Sequence, residues 1–298
     1  MMIQPSSRLR QQGLSLIELM IAMVLGLVVI GVVFANYLGA TSGRNHSQAL
    51  GQMAEDASVA LNYVRKHIAQ AGYSRVVGVD ASTGKLVRSY SDIALVGCSG
   101  DFSDPGAATM AELTCPPNQA AASHSIAVAY EADNTNSALR GASNLPGNCV
   151  GQPIDATPIA GSPGAGTFHL SQARLFVDGN ASLACRAAGT PAAPLVNNIV
   201  SMRLRYGVGV DAPPADGDFL PPPPVQFMPA ENVATANAWR RVSSVRVCVV
   251  VRSEEEVLPE PTPYFGCNAL DADVNPITPA DRRMYRAFST TVMVQNRL

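Results

Sequence analysis

Residues 14–38 read LSLIELMIAMVLGLVVIGVVFANYL, an apolar run in which Glu18 is the only charged residue. About 20 apolar residues are enough for an α-helix to cross a bilayer. This run is long enough, and it lies near the start of a chain of 298 residues. The stretch therefore predicts a membrane-spanning helix from which the rest of the protein extends.

A short basic segment precedes the apolar run. Residues 1–13 carry Arg8 and Arg10 and end in Gly13, and the next cation is Arg44. A secretory signal peptide has an apolar core of roughly 7–15 residues followed by a cleavage site, so its apolar part is removed. Here the run is longer, and a cut after Gly13 would keep the helix. The placement of the arginines predicts a cytoplasmic start and a periplasmic C-terminal bulk.

Glu18 is the unusual residue of this helix. An ionisable group inside a membrane segment usually has a partner and marks a functional hypothesis. After a cut behind Gly13, the new α-amino group of Leu14 in a neighbouring subunit could neutralise the Glu18 carboxylate. The alternative is that Glu18 simply lies in the headgroup region, and charge placement alone leaves both readings open.

The chain continues beyond residue 38 as an amphipathic helix. Over 39–72, apolar residues recur at spacings of three and four, which is typical of a core-facing stripe. They are Leu50, Met53, Ala57, Ala60, Leu61, Val64, Ile68 and Ala71. Gly72 is the expected C-cap, and glycines between residues 26 and 51 make a bend or an unwound segment plausible.

Beyond Gly72 the apolar period changes to two, which indicates β-strands. The predicted strands are 93–96, 126–130, 168–177, 199–208, 242–252 and 288–294. In the clearest one, every second residue from Val245 to Val251 is a valine. The residues between them form a more polar face that includes Cys248. A disulfide to a loop lying over the sheet would explain that cysteine, and Cys267 is the nearest candidate. Residues 73–298 are therefore predicted to form one β-rich periplasmic domain.

Six cysteines follow the membrane helix. They are Cys98, Cys115, Cys149, Cys185, Cys248 and Cys267. An even number in a chain that enters the oxidising periplasm predicts a disulfide framework. No pair has the C-x-x-C spacing of zinc or thioredoxin-like sites, and pairing in sequence order is only one of several possible connectivities.

Composition and motifs argue against catalysis and nucleic-acid binding. The net charge is −2 and the chain has only two lysines, so no broad basic surface is expected. The four histidines lack metal-ligand spacing, and His46 and His67 are interpreted as surface residues of the helix. Asp271 begins an EF-hand-like loop, but Pro276 and Arg282 replace its glycine and its bidentate glutamate. We therefore predict no catalytic residue, no metal site and no cofactor.

Residues 13–18, Gly-Leu-Ser-Leu-Ile-Glu, closely resemble the type III leader junction of type IV pilins and pseudopilins. The resemblance implies that prepilin peptidase cuts between Gly13 and Leu14 and N-methylates Leu14, although Leu14 departs from the commoner Phe or Met. It also implies that Glu18 docks subunits. The expected fold is α+β, with a long N-terminal helix packed on a mainly antiparallel sheet with long loops.

Two further stretches are similar to PilW-type minor pilins. They are the helix end at 63–73, YVRKHIAQAGY, and the near-terminal run at 286–292, RAFSTTV; about 75–240 matches nothing. The resemblance implies a non-enzymatic subunit that primes fibre assembly and is incorporated at or near the tip. Its implied partners are other minor pilins, the major pilin, prepilin peptidase, the inner-membrane assembly platform and a large tip adhesin.

The predicted organisation is a leader (1–13), a transmembrane and assembly half of the helix (14–38), an amphipathic half (39–72) and the periplasmic domain (73–298). The protein would first be a single-pass inner-membrane protein and then part of the pilus on the cell surface. Two alternatives stay open: a type II secretion minor pseudopilin of the GspJ kind, and a membrane-anchored periplasmic binding domain.

Overall fold

The computed structural model describes residues 15–82, 84–117, 123–159, 166–209, 223–267 and 275–296. A long N-terminal helix is followed by antiparallel strands, so the predicted α+β class is confirmed. The chain forms two compact units, of which the first ends at Gln48 and the second begins at Ala49.

Helix α1 (Leu16–Gln70) is one uninterrupted element of 55 residues. The glycines within it do not break the helix, contrary to the unwinding that the sequence made plausible. The helix ends where predicted, since Gly72 has a left-handed φ of 75° that costs glycine little. The Tyr73 amide donates to the Gln70 carbonyl, 2.9 Å away, and closes the last turn.

The remaining elements are short or medium strands with one further helix. The strands are β1 (Val76–Val79), β2 (Leu86–Arg88), β3 (Leu95–Cys98), β4 (Ser125–Ala132), β5 (Leu139–Arg140), β6 (Leu145–Pro146), β7 (Ala156–Pro158), β8 (Thr167–Val177), β9 (Ser182–Ala187), β10 (Ala193–Asn197), β11 (Ile199–Val208), β12 (Gln226–Met228), β13 (Val242–Glu256) and β14 (Arg283–Met293). Helix α2 (Ala230–Thr235) and a 3₁₀ turn (Trp239–Arg241) lie between β12 and β13.

Two antiparallel sheets organise the second unit. The first has the order β10-β9-β8-β4-β3, with β7 added to the start of β8. The second has the order β12-β11-β13-β14. Two small hairpins, β1-β2 and β5-β6, stand apart from them.

The main core lies between these sheets and the part of α1 that starts at Ala49. Met53, Ala60 and Val64 of the helix are buried against inward-facing residues of β4, β8, β11 and β13. On β13, Val245, Val247, Val249 and Val251 are fully buried. The helix and the strand thus each bury the apolar face that the sequence period predicted. Burial of this apolar surface is the main driving force for the fold.

Two smaller clusters cover the outer faces of the sheets. On the first sheet, residues 99–114 bring Phe102 and Met110 onto Ala127 and Ala129 of β4. On the second, Cys248 and Val250 lie beneath Cys267. The chain therefore uses its long connections to shield sheet faces that a helix does not cover.

Candidate functional site

The first turn of α1 holds a reciprocal pair of hydrogen bonds between Ser15 and Glu18. The Ser15 amide donates to Glu18 Oε2 at 3.2 Å, and the Glu18 amide donates to Ser15 Oγ at 3.4 Å. This is the capping-box arrangement, in which two side chains satisfy amides that the helix leaves without partners. The carboxylate also lies at the positive end of the helix dipole, which favours a negative charge.

The capping contact uses only one of the two carboxylate oxygens of Glu18. Its Oε2 accepts from Ser15, and Oε1 accepts no hydrogen bond from the described part of the chain. The side chain is exposed. The geometry therefore leaves Glu18 with an acceptor that a second molecule can reach.

The segment that follows Glu18 presents apolar side chains all round the helix. Leu27 is 70% exposed, Ile30 66% and Phe34 60%. A helix that is apolar on every side belongs in an apolar environment. Among the described residues, α1 is the one helix long and apolar enough to cross a membrane. Gly13 and Leu14, the predicted cleavage and methylation positions, lie outside the described residues.

All six cysteines form disulfides in sequence order. The bonds are Cys98–Cys115, Cys149–Cys185 and Cys248–Cys267. The predicted framework is confirmed, and one of the connectivities that the sequence left open is selected. Cys248 is joined to the segment above the second sheet, as its position on the strand indicated.

Polar contacts tie the second half of α1 to the rest of the second unit. The Gln52 amide donates to Glu254 at 2.9 Å, and the Tyr63 hydroxyl donates to the Cys149 carbonyl at 2.9 Å. Burial raises the pKa of Tyr63 to about 12, so this donor keeps its proton at physiological pH. These contacts fix the rotation of the helix on its domain.

His67 corrects one sequence-based interpretation. It was expected on the helix surface, but it is only 5% exposed and lies beside Tyr130. Burial, with a smaller effect of Lys66, lowers its pKa to about 4, so the imidazole is neutral in the folded protein. His46 is exposed, as expected.

The disulfide-closed segment 99–114 is held to the first sheet by a buried arginine that the sequence analysis did not identify. Arg174 on β8 is fully buried and donates to the Ala107 carbonyl at 2.7 Å and to Gln172 Oε1 at 3.2 Å. Burial and then the nearby charge of Arg186 lower its pKa to about 10. The sequence around Arg174 does not indicate that this arginine is buried or that it binds the segment 99–114.

Two clefts contain polar side chains, but their groups serve structural contacts. A cleft of about 340 Å³ includes Glu131, Asp133 and His169. Glu131 accepts from the Arg75 amide at 2.8 Å and from the Ser89 hydroxyl, and His169 Nδ1 contacts the Ile154 carbonyl at 2.8 Å. A second cleft of about 300 Å³ has Tyr90, Met110 and Phe168 in its wall.

Within the described ranges, no three His, Cys, Asp or Glu side chains are grouped so that they could hold a metal ion. Asp271, which begins the EF-hand-like stretch, lies outside those ranges. The arrangement that remains as a candidate site is the start of α1. The capping partner of Glu18 was not identified from the sequence, although Ser15-x-x-Glu18 carries the capping-box signature.

Comparison with known proteins finds similarity to protein families in both the N-terminal and the C-terminal part of the chain. A family model described as type IV pilus-assembly protein W matches residues 169–296, and a model of the prokaryotic N-terminal methylation motif matches residues 8–34. No curated protein matches the sequence. Among solved structures, a type IV-like pilin from Thermus thermophilus aligns with 12% identity and a TM-score of 0.36, over 81% of this chain and 94% of that one.

The two family models match separate parts of the chain, and each matched range corresponds to defined elements of the structure. The methylation motif covers the start of α1 with Ser15 and Glu18, and the assembly-protein model runs from β8 to the residues just after β14. Together the two matches, at residues 8–34 and 169–296, support a type IV pilus minor pilin of the PilW type.

Proposed function

We propose that this minor pilin primes the assembly of type IV pili and is incorporated at or near the fibre tip, in complex with other minor pilins. The observation that carries the proposal is the membrane-length apolar part of α1, residues 16–38, whose one carboxylate, Glu18, lies in the first turn of the helix. The role is non-enzymatic. Assembly partners are the major pilin, the inner-membrane platform and, at the tip, a large adhesin.

Processing by prepilin peptidase creates the functional N-terminus. The peptidase cuts between Gly13 and Leu14 and methylates Leu14, which leaves the capping pair Ser15 and Glu18 close to the new end of the chain. The second unit faces the periplasm, and its three disulfides support that placement, because disulfides persist in an oxidising compartment.

Docking then uses the charge of Glu18. In the bilayer and in the fibre core the carboxylate lies in apolar surroundings, where an unpaired charge is costly. The α-amino group of Leu14 in a neighbouring subunit neutralises it. The apolar side chains move from lipid to a similar environment between helices, so the hydrophobic cost of leaving the membrane is small, and the ion pair sets the register.

Three variants of the mature protein separate docking charge from helix capping. Glu18→Gln removes the charge but keeps the capping geometry, since Gln serves in a capping box as Glu does. Ser15→Ala removes the cap at a cost of about 1 kcal/mol but keeps the charge. We expect Glu18→Gln and Glu18→Ala to reduce the amount of this subunit in sheared fibres about tenfold, and Ser15→Ala to reduce it little.

The amount in sheared fibres is measured by immunoblot against the amount in the membrane fraction. Wild-type incorporation of Glu18→Gln, with normal membrane levels, would remove the docking role. The tip position is tested by gold labelling of an epitope in the second unit, where label spread along the whole fibre would contradict it. Priming predicts that deleting the subunit lowers fibre number while the major pilin is still made and processed.

A further inference from the structure

The last strand, β14, forms one edge of the second sheet. It is 11 residues long, and within the described ranges it pairs with β13 alone. Its register is continuous from Arg252↔Tyr285 to Ser244↔Met293, with no bulge. The strand contains neither proline nor glycine. Its outer side is therefore a long and regular row of backbone groups.

Hydrogen bonds at both ends of β14 show which amides face outward. The Val294 amide donates to the Ser243 carbonyl at 2.9 Å, and the Met284 amide donates to Ser253 Oγ at 2.9 Å. In an antiparallel pair, successive residues alternate between pointing toward the partner strand and away from it. The even-numbered residues of β14 thus bond to β13. The odd-numbered amides point away; they belong to Tyr285, Ala287, Ser289, Thr291 and Met293.

These outward groups have no backbone partner in the described part of the protein. Natural proteins usually protect such an edge with a charged residue, a proline, a bulge or a covering segment. Here residues 287–293 read AFSTTVM and carry no charge. Ser289, Thr291 and Met293 are exposed. An edge left open in this way is suited to receive an additional strand.

The charges at the start of β14 indicate what kind of strand fits. Arg282 pairs with Glu256 at 2.8 Å, and Arg283 pairs with Asp281 at 3.6 Å. Arg286 is exposed, and its guanidinium lies 5.6 Å from the centre of the Phe288 ring. It makes no ion pair with any described residue. A complementary strand would carry a carboxylate beside Arg286 and uncharged residues along 287–293.

We propose that the edge of β14 binds an extended segment of another pilus subunit, which adds a fifth strand to the second sheet and pairs a carboxylate with Arg286. A second copy of this chain fits less well, because β14 itself contains two arginines and no acidic residue. The inference rests on the proposed function, since it requires that the protein assembles with other pilus subunits.

The test uses the full chain in pilus-producing cells, with the photoreactive residue p-benzoyl-phenylalanine in place of Ser289. The cross-link is expected to join a segment of another pilus subunit that contains an Asp or Glu, identified by mass mapping of the linked peptides. Thr291→Pro removes an outward amide without disturbing the pairing with β13, because an edge strand tolerates proline where the missing N–H would face away from the sheet. It should reduce the cross-link at least about fivefold, and Thr291→Val, which keeps the amide, should not.

Two controls complete the design. Thr290→Pro removes an amide that bonds to Val247, so it should lower the stability of the domain, whereas Thr291→Pro should leave thermal unfolding close to that of the wild type. Arg286→Gln should weaken the cross-link and Arg286→Lys should preserve it.

The outcomes separate this inference from the proposed function. A cross-link to a second copy of this chain, or an equal cross-link in Thr291→Pro and Thr291→Val, would overturn the strand addition. If the wild-type subunit is found in sheared fibres while position 289 gives no cross-link, the strand inference alone fails. If the subunit is absent from fibres, the proposed function itself fails.

Discussion

Nδ1 of His67 lies 3.3 Å from the hydroxyl oxygen of Tyr130, inside the core between α1 and the first sheet. The ring of Tyr63 approaches the same imidazole, with ring centres 4.9 Å apart. The histidine is thus enclosed by two aromatic side chains in the folded protein. Its proton affinity is consequently coupled to the stability of the domain.

We predict that the domain loses stability as the pH falls from about 6.5 to about 4. The pKa of His67 is about 4 in the folded state and about 6.5 in the unfolded chain. Between these values the unfolded state binds the proton more tightly, so acid favours unfolding. The full difference corresponds to about 3 kcal/mol. Stability above pH 6.5 should not depend on this residue's titration.

Urea unfolding of the full chain in detergent at several pH values measures this effect. His67→Phe should remove most of the pH dependence between 4 and 6.5, whatever its effect on absolute stability. The matched control is His46→Phe, which changes an exposed histidine and should leave the dependence intact. An unchanged slope in His67→Phe would show that other groups cause the acid sensitivity.

A second prediction concerns the close approach of β3 to Tyr206. A Cβ at Gly97 would lie 1.8 Å from the Tyr206 hydroxyl oxygen and 3.1 Å from the Ser125 carbonyl. Gly97→Ala should therefore destabilise the domain by about 1–3 kcal/mol, the usual cost of overpacking. Gly78→Ala is the control, because a Cβ there meets nothing within 4 Å.

The double variant Gly97→Ala/Tyr206→Phe should recover part of that loss, because the clashing oxygen is removed while the ring carbon Cζ, 2.7 Å from the new Cβ, remains. Tyr206→Phe alone should be neutral or slightly stabilising, since the buried hydroxyl has no partner among the described residues and an unsatisfied polar group is costly. Thermal unfolding of the four proteins forms a complete cycle. Equal losses in the single and double variants would contradict the clash.

The third prediction is that the denatured, unreduced mature protein contains no free thiol. All six cysteines are paired in the structure, so titration with a thiol reagent should count six only after reduction. Removing one bond with Cys98→Ala/Cys115→Ala should cost about 3 kcal/mol, the usual effect of a loop of this length. Detection of two or more free thiols before reduction would contradict the framework.

The fourth prediction concerns the mature N-terminus. Mass spectrometry of the protein from membranes should find a chain that starts at Leu14 and carries one additional methyl group. A bulky substitution, Gly13→Val, should leave the precursor uncut. A chain that starts at Met1, or one cut near Ala40, would exclude processing as a pilin.

The helix and the longer strands could be predicted because their apolar residues repeat with a single period. Strand 199–208 was predicted with its observed bounds, and the valines of β13 alternate over its central part, 245–251. Strand β9 was not predicted. It has the sequence SLACRA, whose small residues give little alternation, and its burial depends on the main core, which α1, β11 and β13 also form.

His67 was predicted to lie on the helix surface, and this prediction was wrong. It lies three residues after Val64 and four before Ala71, so the helical period places it within the buried stripe. Its polar character was given more weight than its position. The partner that makes its burial acceptable, Tyr130, is on β4, and no local pattern connects the two residues.

The candidate site was only partly predictable. Glu18 is conspicuous because it is a lone charge in an apolar run, whereas the hydrogen bonds to Ser15 required the folded first turn. The open edge of β14 could not be predicted, because strand order in a sheet depends on contacts between distant segments. A strand pattern at the end of the chain indicates pairing but not on which side.

The sequential order of the disulfides has a consequence for biogenesis. Each cysteine is bonded to a cysteine adjacent to it in chain order. In the proposed orientation, with the second unit in the periplasm, translocation delivers these cysteines to the oxidising compartment pair by pair. An oxidase that bonds each translocated cysteine to the preceding unpaired cysteine produces the native disulfides directly. The domain can then fold without disulfide isomerisation while its helix is in the membrane.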